Sequence, residues 1–168
     1  MNILILAEHS NTALEASTLA TIGAAKLMGG EIDLLCCGAI AKAAAEAACG
    51  ADGVRSVLYA NGAEYDAPLA EPLAWLIHSL AAEYDYVLAP ASTFGKDVLP
   101  RAAALCDAQQ ISDIIAVVNP TTFKRPIYAG NAIETVESKQ AKHFITIRPT
   151  AFDKVAATGG SAALKEVA

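Results

Sequence analysis

The stretch NILILAEHSNTALEASTLATIGAAKLMGGEIDLLCC, residues 2–37, decides the fold. Residues 2–7 (NILILA) are an apolar run of strand length, short enough to be buried on both faces. Residues 12–28 then place Leu14, Leu19, Ile22 and Ala25 at helical spacing. Asn11 or Thr12 is positioned to cap that helix, with Glu15 in its first turn, and Gly29-Gly30 stops it. Residues 31–37 (EIDLLCC) read as a second strand. Two such strands joined by a helix lie parallel, because a parallel pair needs a crossover connection.

The rhythm continues for the next eighty residues. A helix over 41–48 and a strand over 54–60 come first. A helix over 67–84 follows, with Leu69, Leu73, Leu76, Ile77 and Leu80 as its stripe and with Pro68 and Pro72 tolerable only near its start. A strand over 84–90, a helix over 95–106 and a strand over 113–119 complete the series. This order predicts an α/β fold, a Rossmann-like three-layer sandwich with a mainly parallel sheet.

After residue 119 two segments rich in β-formers, 121–129 and 131–138, follow with no helix between them, and 142–148 closes the sheet. Gly130 supplies the positive φ of a tight hairpin turn, and Asn131 tolerates one. Lys124, Arg125 and Pro126 suit an edge strand. The alternative reading of the same hairpin is a docking surface with Arg125, Tyr128 and Asn131 as contacts, since Arg and Tyr are enriched at interface hot spots. Residues 156–168 (AATGGSAALKEVA) read as a flexible linker.

The 168 residues suffice for one domain with a sizeable core, and a net charge of −6 disfavours a nucleic-acid binder. No apolar run reaches the length of a membrane span. The first strand begins at residue 2 with no basic segment before it, which points to the bacterial cytoplasm, or to the mitochondrial matrix if a transit peptide has been removed. Cys36, Cys37, Cys49 and Cys106 lack metal-ligand spacing and read as small buried hydrophobes, the first two facing opposite sides of a strand.

Ligands of open parallel sheets sit beyond the carboxyl ends of the strands. Here those ends carry EHSN (8–11), CGA (37–39) and PASTFGKD (90–97). Ser92, Thr93 and Lys96, with Gly95 allowing close approach, make a phosphate seat on one reading and a helix cap with a solvated lysine on the other. Glu8 and His9 are an acid-base pair on one reading and loop hydrogen-bonding groups on the other. His78 reads as a boundary residue and His143 as a surface one, and the three histidines do not make a metal set. No GxGxxG, GxxxxGK[ST] or GxSxG motif occurs, and no catalytic or metal-binding residue is assigned.

Five stretches together are specific: LAEH (6–9), AEPLAWLI (70–77), APASTFGKDVLPRAAALCDAQQISDI (89–114), RPIYAGNAI (125–133) and TIRPTAF (146–152). In these the chain resembles the N-terminal domain of electron transfer flavoprotein alpha subunits, over residues 2 to 155 or so. The resemblance implies a heterodimer with a beta subunit that carries one FAD. Such a carrier takes electrons from acyl-CoA dehydrogenases of fatty-acid β-oxidation and from other dehydrogenases, and passes them to a membrane quinone oxidoreductase. It also implies that FAD is gripped mainly by a second domain whose segments are absent from this sequence, and that AMP sits in the beta subunit. The expected organisation is then residues 1–155 as the N-terminal domain and 156–168 as a linker towards that second domain, with no cofactor and no catalysis in this chain alone. The alternative is a stand-alone adenine-nucleotide-binding domain or hydrolase of the same fold, with Ser92, Thr93 and Lys96 on phosphate and His9 as base.

Overall fold

A parallel sheet of seven strands forms the middle layer of the computed structural model, which describes residues 1–167. In chain order the elements are β1 (Asn2–Leu6), α1 (Ala16–Met28), β2 (Glu31–Gly38), α2 (Lys42–Ala48), β3 (Ser56–Asn61), α3 (Ala70–Leu80), β4 (Tyr86–Pro90) and α4 (Thr93–Leu105). They continue with β5 (Gln110–Ile114), β6 (Ala116–Asn119), β7 (Thr122–Ile127), β8 (Ala132–Glu137), β9 (His143–Ile147) and β10 (Ala163–Glu166). The sheet order is β10-β3-β2-β1-β4-β9-β5.

Alternation along each strand feeds two cores, as side chains of period two must. Ile3, Ile5, Leu34 and Cys36 pack with Ile22 and Met28 of α1 and with Ala45 and Ala48 of α2. Leu4, Leu6 and Leu35 pack with Leu73 and Ile77 of α3 and with Val98 and Leu99 of α4. The Rossmann-like three-layer sandwich follows, with α1 and α2 on one face and α3 and α4 on the other.

At the amino end of the sheet a buried carboxylate fastens three strands. Asp33 Oδ1 accepts hydrogen bonds from Arg55 Nε (2.9 Å) and Ser56 Oγ (2.6 Å). Its Oδ2 accepts from Arg55 Nη2 (2.5 Å) and the Tyr84 hydroxyl (2.8 Å). Burial pushes the Asp33 carboxyl up, but the hydrogen bonds and charge of its partners outweigh that and hold it below the usual carboxylate range.

Several boundaries differ from those expected. The first helix begins at Ala16 rather than 12, because the Ser10 hydroxyl accepts the N–H groups of Thr12 and Ala13 and closes a turn instead. The third helix is trimmed to Ala70–Leu80, with Pro68 outside it, Pro72 in its first turn and Leu69 exposed. Strand 113–119 is broken. Asp113 adopts φ +61°, and the chain leaves the main sheet after β5 to enter a separate antiparallel sheet, β6-β7-β8. The hairpin therefore does not extend the main sheet, and β7 is the central strand of its own. Pro126 is tolerated because it lies past the reach of β6, which pairs only with residues 122–124. Phe123, fully buried, anchors this small sheet to the α1 face with Val117 and Val136.

β9 does not close the sheet but lies between β4 and β5. The tail is not a free linker either. Val155 N donates to Leu19 O (3.2 Å), Gly160 N to Gly50 O (2.8 Å) and Ala162 N to Cys49 O (2.9 Å), and the chain then adds β10 parallel to β3. Glycine is needed in this strap, since a Cβ on Gly160 would stand 2.3 Å from the Ala51 carbonyl oxygen.

Candidate functional site

The strand order reverses between β1 and β4, and a crevice opens there at the carboxyl ends of the strands. Ala7, Glu8, His9, Glu15, Cys37, Pro68 and Phe94 line a cleft of about 360 Å³. A second cleft of about 300 Å³ shares His9, Cys37 and Pro68 and extends past Ile40, Tyr65 and Asp66. The charged groups lining both are carboxylates.

Glu8 is the most constrained of these residues. Ser17 Oγ donates to its Oε2 at 2.5 Å, and Ser92 Oγ donates to its Oε1. Thr18 Oγ1 accepts the Glu8 N–H and donates to the Glu8 carbonyl oxygen, both at 2.8 Å. The His9 ring bonds its own loop, as Nδ1–H donates to the Ser10 carbonyl at 2.8 Å, while Glu8 is held by the serines.

Ser92 is the N-cap of α4, its Oγ accepting from Gly95 N at 3.1 Å. The space beside Gly95 is filled by the chain itself, because a Cβ there would lie 2.0 Å from the Pro90 carbonyl oxygen. Thr93 and Lys96 are exposed, and the charge of Lys96 is felt by Asp113. Asp113 also takes two hydrogen bonds from Arg148, which hold its carboxyl below the usual range. The structure thus brings Ser92 to Glu8, and leaves Thr93 and Lys96 on the open side of the helix. Sequence reasoning missed Ser17 and Thr18 because it started the first helix four residues early.

A pyrophosphate does not fit this crevice. Its lining offers Glu8 and Glu15 where a dinucleotide needs donors, and the Ser92 hydroxyl is already engaged.

The second candidate lies on the small sheet. Arg125 stands directly opposite Glu134, and its Nε donates to Glu134 Oε2 at 2.7 Å. Tyr128 is 80% exposed, at φ +50°, and its carbonyl oxygen accepts from Asn131 N (3.1 Å), so both sit at the loop tip. Gly130 has the positive φ expected of it (+90°), while Asn131 is helical. Pro126 faces Ile133 across the strands, and Ile133 is exposed, an apolar feature that the sequence reading did not single out.

His143 is buried rather than at the surface, because it stacks on Tyr86 (centroids 4.6 Å apart) and its Nδ1 bonds the Ser138 hydroxyl. Burial pushes its pKa down. His78 is exposed beside Trp75, with its Nδ1 3.4 Å from Cys106 Sγ. The four cysteines are free, and burial pushes the Cys36 thiol up to about 12 and Cys37 higher still. Among the described residues no cluster of three or more metal-ligating side chains occurs, and no helix is long and apolar enough to cross a membrane.

The family description "Electron transfer flavoprotein domain" matches residues 3–168. The chain is 56% identical over 167 residues to the electron transfer flavoprotein subunit alpha of Pseudomonas aeruginosa, covering 99% of this chain and 54% of that protein. It is 48% identical to the same subunit of Paracoccus denitrificans, covering 100% of this chain and 54% of that protein. Against the mitochondrial subunit of Dictyostelium discoideum it is 41% identical, covering 95% and 47%. The chain spans about half the length of the curated relatives that it matches.

Proposed function

Since the chain belongs to the electron transfer flavoprotein domain family, we propose that it is the docking and framing part of an alpha subunit. In this reading it holds a beta subunit and an FAD-bearing domain in register. The complete heterodimer carries electrons from dehydrogenases, acyl-CoA dehydrogenases among them, to a quinone oxidoreductase of the respiratory chain. The chain contributes shape and contacts rather than chemistry. FAD belongs to the complete heterodimer and AMP to the beta subunit.

One observation favours this reading above the nucleotide-binding one. The Ser92 and Ser17 hydroxyls at the crevice are engaged by Glu8 within the chain, whereas the small sheet projects an exposed aromatic, Tyr128, on the hairpin that also carries Asn131 and Ile133. Exposed aromatic anchors with low side-chain entropy are what interfaces use. Arg125 contributes by stiffening the hairpin through Glu134.

The test is Tyr128→Ala in the full-length heterodimer. A hot-spot loss of about 2 kcal/mol weakens subunit association by roughly thirtyfold. Unchanged assembly and unchanged flavin retention in both Tyr128→Ala and Ile133→Ser variants would refute the docking role of this sheet.

A further inference from the structure

At the switch point of its sheet the chain places an anion of its own. Helices α1 and α4, each of 13 residues, both begin at this point, and helix N-termini favour negative charge. The Gly95 amide, in the first turn of α4, is linked to the Glu8 carboxylate through the Ser92 hydroxyl, which accepts from Gly95 N–H and donates to Oε1. From α1 the Ser17 hydroxyl donates to Oε2. Thr18 fixes the Glu8 backbone through both its N–H and its carbonyl. Hydroxyls and helix-start amides are the donors that hold phosphate in other parallel sheets. Here the group that they hold is a carboxylate of the chain itself.

We propose that Glu8 is a built-in substitute for an anionic ligand. Its carboxylate fills the oxyanion seat between α1 and α4, joins the β1 and β4 halves of the sheet and excludes phosphate. Glu8 is thus a positioning residue, and the seat that it vacates when shortened takes inorganic phosphate or a phosphate monoester. This inference stands apart from the docking role of the small sheet.

The test compares melting of the 168-residue chain in potassium phosphate and in potassium chloride of equal ionic strength, for wild type, Glu8→Ala and Glu8→Gln. The wild-type difference measures the general effect of phosphate on burial. Glu8→Ala is expected to melt lower than wild type in chloride and to gain further in phosphate, saturably. The folding equilibrium should shift by about 100-fold at phosphate ~100 times its dissociation constant. Glu8→Gln keeps the seat filled and should gain no more than wild type. Adding Ser92→Ala to Glu8→Ala should remove the extra gain. Equal phosphate gains in wild type and Glu8→Ala, or a gain that survives Ser92→Ala, would overturn the proposal. If Glu8→Ala does not fold in chloride, refolding yield decides: recovery in phosphate supports the proposal, and failure in both salts overturns it.

Discussion

Replacing Tyr84 by Phe removes one hydrogen bond from a buried carboxylate and leaves the ring's packing in place. Asp33 is 3% exposed and accepts four hydrogen bonds, of which the Tyr84 hydroxyl supplies one at 2.8 Å. A hydrogen bond to a charged group contributes about 1.5–3 kcal/mol, and Phe cannot replace it. With Arg55 and Ser56 still in place, the expected loss is about 2 kcal/mol at pH 7. That corresponds to a fall in melting temperature of roughly 4–8 °C for a chain of this size. The pH dependence follows from the sign of the shift. Asp33 titrates lower folded than unfolded, so its contribution is fully present above the ordinary carboxylate pKa of about 3.9 and is lost as pH falls through the folded value. The Tyr84→Phe deficit should therefore be steady from pH 7 to pH 5 and shrink below pH 4 or so. Urea unfolding followed by circular dichroism across this range measures both. A loss under about 0.5 kcal/mol at pH 7, typical of a neutral surface change, would refute the reasoning, as would a loss that does not shrink in acid.

Arg125→Glu sets two carboxylates opposite each other on β7 and β8 and should lower stability by about 1 kcal/mol. Adding Glu134→Arg restores the cross-strand pair, so melting should recover fully if that ion pair is the whole role of Arg125. Gly95→Ala drives a Cβ to 2.0 Å from the Pro90 carbonyl oxygen, and the start of α4 must shift off β4. Destabilisation of about 2–3 kcal/mol or more is expected, read by thermal melting.

The parallel frame was legible because each strand is an apolar run and each helix has an apolar stripe, two periods that do not mimic each other. A helix cap at Ser92 or Thr93 was one of two readings of that stretch, and the cap is Ser92. What escaped the sequence reading depends on contacts distant in the chain. The break at Asp113 rests on Arg148 and on the Thr146 hydroxyl, which accepts Asp113 N–H at 2.8 Å, more than thirty residues away. β9 enters between β4 and β5 by a topological choice that no local pattern records. The tail looked like a linker from its small residues, yet those residues let it lie close against the turn that follows α2, residues 49–52. His143 looked exposed at a strand start until Tyr86 covered it. At the crevice, Glu8 was visible but Ser17 and Thr18 were not, because the Ser10 turn moved the helix start.

The central claim is that the small sheet, and not the crevice at the strand ends, is where this chain meets the rest of an electron carrier. Hydrogen–deuterium exchange of the isolated 168-residue chain against the same residues in the full-length heterodimer tests it most directly. The account predicts slowed exchange over residues 124–133 in the heterodimer, with the amides of Glu8 and Thr18 unchanged. Equal exchange over 124–133, with protection appearing at Glu8 and Ser92 instead, would contradict it.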